Sequence, residues 1–352
     1  MASSAAEISP PADDSATPIV SLRCLSSVAT GMASDVSSVV TAASLSPDAG
    51  DSMTLGETDV TTTLATRYLT EEQIASYHRD GYLAVPSLLD GETVSALRRV
   101  TDAFVDRARA VTRSDAIFDL DPRHTAASPV VRRIKNPADT DPLYRWVAFD
   151  SPIPDIVAEL IGPSIRFHHS KLNMKGSLVG APVEVHQDAA FYPHSNDDVL
   201  AVGLLLDDAT EANGAMAVLP GSQRGPIYTH YDAQGRFVGC MRAEDTARLD
   251  RRHAVLLTLP AGSIHIHHYR LVHWSAPNTS TSERRLLINS YTAADAFSFM
   301  PDTTGSPLVG TLLRGAPPTV ARRTAGDMPL PPDFRQGYTS IYELQTETKR
   351  PS

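Results

Sequence analysis

Cysteine is nearly absent from this sequence. Cys24 and Cys240 are the only two in 352 residues, too few for a disulfide framework, which points to a reducing compartment. No apolar run reaches the roughly 18 residues that a membrane-spanning helix needs. The N-terminus has neither a basic stretch ahead of an apolar core nor the Arg-rich, acid-poor bias of a transit peptide. The chain ends Arg-Pro-Ser, which is not a peroxisomal signal. The expected location is therefore cytoplasmic. Glycine-rich phosphate loops (GxGxxG, GxxxxGK) and the GxSxG elbow are missing too, which removes the usual nucleotide-binding and serine-hydrolase signatures. Positive charge is in deficit: 31 Lys and Arg stand against 41 Asp and Glu. With no basic stripe, nucleic acid is not an expected partner.

The deficit is uneven along the chain. Residues 1–66 hold eight acids and one base, Arg23, and contain no aromatic residue at all. A segment of this composition cannot offset its ordering entropy, and is expected to be a disordered, acidic Ser/Ala/Thr-rich extension. A single domain is expected over 67–345. Thr70-Glu71-Glu72-Gln73 fits a capping box and predicts a short helix ending near His78. "GYLAVPSLL" reads as a strand and turn. Asp90 can cap a longer helix with apolar positions at Val94, Leu97, Val100, Phe104 and Val105. "PIPDIVAELIGP" predicts another short helix, stopped at Gly162-Pro163.

From Ile165 the pattern turns to strands. "IRFHHSKLNMK", "VEVHQDAAFY", "VLAVGLLLDD", "AMAVLPGS", "AVLLTL", "SIHIHHY", "LVHWSA" and "RRLLINSYTA" are separated by turn-rich or charged segments. About eight short strands following a group of helices predict a mainly β fold: a jelly roll with flanking α-helices.

Within this pattern, "EVHQDAAFYP" places an imidazole and a carboxylate two positions apart. Strand side chains alternate, so His186 and Asp188 share one side while Gln187 faces the other, away from any catalytic role. A second histidine from a distant strand would complete a two-histidine, one-carboxylate set that leaves adjacent metal positions open. "LVHWSAPNTSTSERRLLINSY" supplies His273, with Arg284 opening the next strand 11 residues later. The planar fork of arginine suits bidentate capture of a carboxylate. An isolated His-x-Asp pair occurs often by chance; the conjunction with His273, Ser275 and Arg284 carries the weight.

These stretches, with "RFHHSKLNMK", "VEVHQDAAFYPHSNDDVLAVGLLLDD", "ANGAMAVLPGSQRG" and "LVHWSAPNTSTSERR", resemble the phytanoyl-CoA dioxygenase family of iron(II)- and 2-oxoglutarate-dependent oxygenases. The likeness runs from about Tyr68 to Ala294. It implies a double-stranded β-helix (cupin-like) and a dioxygenase that oxidises, most often hydroxylates, an unactivated C–H bond of a small molecule. The family's reaction consumes O2 and 2-oxoglutarate and releases succinate and CO2. By the same resemblance His186, Asp188 and His273 hold iron. Arg284 pairs with the distal carboxylate of 2-oxoglutarate, assisted by Ser275, and Asn173 contacts the co-substrate. His169 and Lys171, on the face of Asn173, match positions nearer the substrate. Tyr192 is a further substrate-facing candidate, though an aromatic ring there also suits a core. Trp274 departs from the glycine frequent in relatives. Asp188 keeps the carboxylate that halogenating relatives lack.

Other readings stay open at this point. His265 and His267 also alternate onto one strand face, so a metal cupin using His265, His267 and His273 without 2-oxoglutarate is possible. A non-catalytic jelly-roll binding protein is another. The charged segment 222–252, lying between two core strands, is expected to act as a lid or in substrate selection.

Overall fold

Thr70 opens the first helix as a reciprocal cap. Its hydroxyl accepts the Gln73 N–H at 3.2 Å, and the Gln73 carboxamide accepts the Thr70 N–H at 2.8 Å, satisfying two amides that a helix start leaves without partners. The computed structural model describes residues 20–21, 67–178, 180–334 and 341–347. The extension expected over 1–66 lies outside them, apart from the two-residue strand β1 (Val20–Ser21). Helix α1 (Glu71–Asp80) ends on Gly81, whose φ of 80° is the left-handed ending that glycine takes without strain. After β2 (Tyr82–Val85), Asp90 accepts the Thr93 N–H at 2.8 Å and caps α2 (Gly91–Ala108). Val94, Leu97, Thr101, Phe104 and Ala108 form its buried stripe.

The region after α2 holds elements that the sequence pattern did not announce: strands β3 (Phe118–Leu120) and β4 (Val131–Lys135), and helices α3 (Pro137–Thr140) and α4 (Pro142–Phe149). Helix α5 (Ile153–Ile161) follows as expected, every apolar residue of its inner face buried.

The remaining strands are β5 (Ile165–Lys175), β6 (Val183–His186), β7 (Val199–Leu205), β8 (Met216–Val218), β9 (Val255–Leu256), β10 (Ile264–His268), β11 (His273–Ser275), β12 (Arg284–Ala293) and β13 (Leu312–Arg314). Helix α6 (Ala243–Ala247) precedes β9, and α7 (Ile341–Glu347) follows β13. All eight strands expected from the pattern are present. They fall into two sheets, ordered β2-β10-β7-β12-β5-β4-β3, with β13 also on β5, and β1-β9-β8-β11-β6. Every pair is antiparallel except β1 with β9.

Alternation sorts the two faces of the larger sheet. Ile134, Leu172, Leu204, Ile264, Ile266 and Leu287 turn outward into one core with α2, α4 and α5. Ala201, Leu205, Leu286 and Ile288 turn inward and pack on Ala217 and Leu256 of the smaller sheet. The fold is thus a jelly roll with helices covering one sheet. No helix among the described residues is long and apolar enough to cross a membrane.

Two inward positions on β7 and β10 are matched by shape. Gly203 lies opposite His265, and a Cβ on Gly203 would sit 2.4 Å from that imidazole. Overpacking of this kind costs about 1–3 kcal/mol. Gly203→Ala is therefore expected to lower stability by about that amount in urea unfolding, and His265→Ala in the same chain to recover part of it. Equal losses from Gly203→Ala with and without His265 would show that the two positions do not compete for space.

Candidate active site

Strand β6 stops at His186. Gln187 continues the extended backbone (φ −126°, ψ 134°), and Asp188 opens a short 3-10 turn over Asp188–Ala190. The His-x-Asp pair is therefore not carried on a continuous strand as the pattern suggested, yet the extended Gln187 keeps both side chains on one side. Gln187 points the other way and is fully buried. Its Nε2 donates to the carbonyls of Pro226 (3.1 Å) and Arg270 (2.7 Å), while its Oε1 accepts the Tyr228 N–H at 2.8 Å.

Strand β11 runs antiparallel to β6 with His273 directly opposite His186, bringing the ring centroids to 4.1 Å. Among the described residues, His186, Asp188 and His273 form the only set of three His, Cys, Asp or Glu donors whose ligand atoms all lie within 4.8 Å of one another. His265 is outside that set, 5.8 Å from His267 ring to ring. His267 does reach the site, its Nε2 3.3 Å from Asp188 Oδ2.

Hydrogen bonds settle which nitrogens face the cluster. Nδ1 of His186 is 2.8 Å from the Glu184 carbonyl, and Nδ1 of His273 is 2.8 Å from the Leu271 carbonyl. A carbonyl only accepts, so both Nδ1 atoms carry the proton and both Nε2 atoms offer a lone pair. Burial pushes His186 down to about 4 and His273 well below its usual range, so both rings are neutral near pH 7. Burial pushes Asp188 up, but Lys171, the His267 hydrogen bond and His273 outweigh it and hold the carboxyl well below its usual value. Two neutral imidazoles and one carboxylate are a donor set that suits a divalent iron.

The two arginines that open β12 separate by strand parity. Arg285 turns outward and is bonded to Asp207 (2.8 Å and 2.9 Å) and Asp102 (2.6 Å). Arg284 turns inward, is buried, and has no carboxylate within 4 Å and no partner for its Nε among the described residues. An unanswered guanidinium in a dry site calls for an anion. Beside it, burial and then Arg284 itself push Lys175 down to about 6, so near pH 7 it is mostly an uncharged amine. Its Nζ donates to the Ser275 and Ala276 carbonyls. Ser275 and Asn173 line the same cavity.

A family model described as phytanoyl-CoA dioxygenase (PhyH) matches residues 77–286, a span holding all three donors and Arg284. The chain belongs to the phytanoyl-CoA dioxygenase family. A protein of Stutzerimonas stutzeri named "probable alpha-ketoglutarate-dependent hypophosphite dioxygenase" is 37% identical over 65% of this chain and 80% of its own. An L-proline trans-4-hydroxylase of Streptomyces griseoviridis is 28% identical over 61% of this chain and 83% of its own. Among solved structures, EctD from S. alaskensis with 2-oxoglutarate and 5-hydroxyectoine superposes with a TM-score of 0.56 at 23% identity, covering 74% of this chain and 89% of that one. The carbocyclase SnoK from nogalamycin biosynthesis gives 0.55 at 22%, covering 74% and 95%. These two establish the fold as that of the jelly-roll oxygenases. The protein is an iron(II)- and 2-oxoglutarate-dependent dioxygenase with O2 as co-substrate.

The site of this dioxygenase opens into a cavity of about 450 Å³. His169, Lys171 and Tyr192 line it, as does Trp274, whose ring also carries Arg251 at 5.1 Å. His169 reaches the cavity through a β-bulge: Ser290 pairs with His169 and Tyr291 with Phe167, so His168 is the extra residue. Both His168 and His169 consequently border the cavity, their Nδ1 atoms 2.5 Å apart. Burial first, and Asp188 second, keep the Tyr192 phenol protonated.

One expectation is corrected. No residue of segment 222–252 lines the cavity; Ser298, Met300–Thr304, Phe334, Ile341 and Tyr342 do so instead. Gln187 holds 226 and 228 to the buried side of β6, and Met241 donates its N–H to Val185 at 2.8 Å. The segment is thereby tied to β6, and its Phe237 packs edge-on against Phe191 and Phe334, two residues of the cavity wall. Arg133 and the α7 residues Ile341 and Tyr342 border the cavity and went unread in the sequence, while His267, read there only as part of the rival metal set, borders it too.

Buried neutral histidines extend beyond the metal donors. Burial leads in pushing His194 and His268 to about 4, and His169 and His230 to about 3. The unfolded chain protonates such rings near 6.5, so below that pH it binds more protons than the folded chain. Their stabilisation is complete above about pH 6.5 and drains away as the pH falls toward 4, by up to about 1.4 kcal/mol per unit for each ring. Metal-free protein should therefore show a urea midpoint that falls steadily between pH 7 and 5. A flat profile would mean that these rings are protonated in the fold.

Proposed function

We propose that this dioxygenase hydroxylates an unactivated C–H bond of a small-molecule substrate, with residues 67–345 as the catalytic domain. In this reading His186, Asp188 and His273 hold iron, Arg284 receives the distal carboxylate of 2-oxoglutarate, and Ser275 and Asn173 complete the co-substrate pocket. One observation carries it: three converging donors and a buried, carboxylate-free arginine border the same cavity. The name of the L-proline trans-4-hydroxylase relative supports hydroxylation. A cavity of about 450 Å³ must house co-substrate and substrate together, which favours a small substrate. The low cysteine count supports a cytoplasmic setting.

Iron with 2-oxoglutarate and O2 supplies the oxidising power, the co-substrate leaving as succinate and CO2. The protein supplies placement. Glu184 and Leu271 carbonyls lock the two imidazoles with Nε2 toward Asp188, so no proton has to leave a ring before metal binds. Asp188 stays ionised because Lys171 and His267 face it. Arg284, with one donor unspent, fixes the far end of a dicarboxylate and so its orientation along β12. Lys175, being mostly neutral, avoids competing for that carboxylate. His169, Lys171 and Tyr192 are left to face the substrate.

Anaerobic titration with iron(II) and 2-oxoglutarate tests this through the weak visible band of the chelated metal. Wild-type protein should show the band. Asp188→Ala should abolish it, and Arg284→Ala should weaken 2-oxoglutarate binding by roughly 10- to 100-fold, the loss of a charged hydrogen-bonded pair. Iron binding without any response to 2-oxoglutarate would sink the proposal.

A further inference from the structure

We propose that Gln345 of helix α7 is a positioning residue for the metal site, holding the iron ligand His186 in place through the backbone of Glu184. This rests on the iron reading of the site and adds to it a residue 161 positions further along the chain than the one it holds. The two imidazoles are anchored alike, each Nδ1–H donating to a carbonyl two residues back, but the carbonyls themselves are not held alike. Leu271 is wholly buried against Met216, Val218 and Leu257, and its N–H donates to the His268 carbonyl at 2.9 Å. The core holds that anchor. Glu184 has no such bed, being partly exposed near the start of a four-residue strand. Strand β6 is also the edge of the smaller sheet. An edge strand pairs on one side only, and its other backbone groups need partners from elsewhere.

Those partners come from outside the sheet. The Val185 carbonyl accepts the Met241 N–H at 2.8 Å, and the Gln187 N–H donates to His230 Nε2 at 3.1 Å. Glu184 is reached by α7. Its N–H donates to Gln345 Oε1 at 3.0 Å, while Gln345 Nε2 donates to the Gly239 carbonyl at 2.8 Å. One buried carboxamide, used at both ends, thus ties α7, β6 and the 222–252 segment together. The fit beside it is close. Gly239 takes a φ of 67°, and a Cβ there would lie 3.1 Å from Leu344 Cδ1 and 3.4 Å from Phe191 Cζ. Helix α7 is therefore seated by shape as well as by hydrogen bonds, with its first residues, Ile341 and Tyr342, bordering the cavity.

Glu184 is the link. Its N–H is fixed by Gln345 and its carbonyl fixes His186, so the placement of one side chain passes to the other across a single residue. Without the carboxamide that amide loses its partner, and the backbone regains a bond only by turning toward water. Such a turn draws the Glu184 carbonyl away from Nδ1 of His186 and frees the ring to swing away from Asp188 and His273. His273 keeps its own anchor in the core. The defect is therefore one-sided: His186 loosens and His273 does not. Groups that orient a metal-bound histidine typically matter about 10- to 100-fold in metal affinity. Gln345 acts one step further out, which places its effect at the lower end.

Cobalt(II) serves as the probe, added to the full-length chain without 2-oxoglutarate. Imidazoles that bind through Nε2 keep the proton on Nδ1, so wild-type protein should show two paramagnetically shifted N–H resonances that exchange with solvent. The His186 resonance is recognised by its ring's Overhauser contact with Phe191, which stands edge-on at 6.1 Å. In Gln345→Met, which fills the space of the carboxamide without its hydrogen bonds, the His186 proton should exchange at least about tenfold faster, as expected for a lost hydrogen bond. The His273 proton should keep its wild-type rate. Cobalt affinity, measured by competition with a chromogenic chelator, should fall about tenfold. Gln345→Ala carries the same comparison should Gln345→Met not fold. The role of Gln345 is overturned if both protons keep their wild-type rates in a folded variant, or if His273 alone responds. It is equally overturned if both quicken together, for Gln345 would then serve the fold as a whole. Wild-type protein that takes up no cobalt, or shows no exchangeable imidazole resonance, would bring down the metal reading of His186, Asp188 and His273, and the role of Gln345 with it.

Discussion

The antiparallel pairing of β6 with β11 sets everything else in the site. Those strands contribute only four and three residues, yet their register places His273 opposite His186 and brings the rings within 4.1 Å. Each ring is then anchored by a carbonyl two residues back in its own chain, Glu184 or Leu271. Such local anchoring orients each imidazole against its own backbone. A one-residue slip between these strands would part the histidines and turn Gln187 toward the cavity, and the buried bonds of Gln187 to Pro226, Tyr228 and Arg270 oppose that slip.

Electrostatics divides the barrel interior into two ends. Histidines crowd around the metal donors and stay neutral through burial, so they add polarity without adding repulsion. Cations line β4, β5 and the start of β12. Arg284 and Arg285, adjacent in sequence, show how sharply parity acts: one is neutralised by Asp207 and Asp102 on the outer face, the other is held in reserve on the inner face. A sheet whose inner face presents charged side chains to a cavity therefore reverses the usual pattern of an apolar interior.

That reversal explains what could be read from the sequence. The eight central strands, the capped helices α1 and α2 and the convergence of His186, Asp188, His273 and Arg284 were legible because caps, alternation and residue chemistry are local signals. Strand β4 was not, since Arg133 points inward and Val131-Arg132-Arg133-Ile134-Lys135 shows no apolar alternation. Tyr342 was hidden because α7 is seven residues long and its role comes from docking. Segment 222–252 looked like a lid from its charge and its place between core strands. Its tethers, His230 and Met241 to the backbone around β6, are tertiary contacts that no window of sequence displays. The turn at Asp188 changed the local structure but not the direction of the side chain, so the right residues emerged from a slightly wrong strand.

The bulge at His168 gives β5 two independent frames. From Lys175 back to His169 the strand is keyed to Arg284–Ser290; from Phe167 to Ile165 it is keyed to Tyr291–Ala293. Between them, one extra residue is absorbed without rotating either half. The far frame seats Phe167 and Ile165 in the helix-side core, while the near frame displays His169, Lys171 and Asn173 to the cavity. The strand thus works as two sections on one joint: the hydrophobic anchor on one side and the cavity-facing run toward Lys175 on the other each hold their own register against β12.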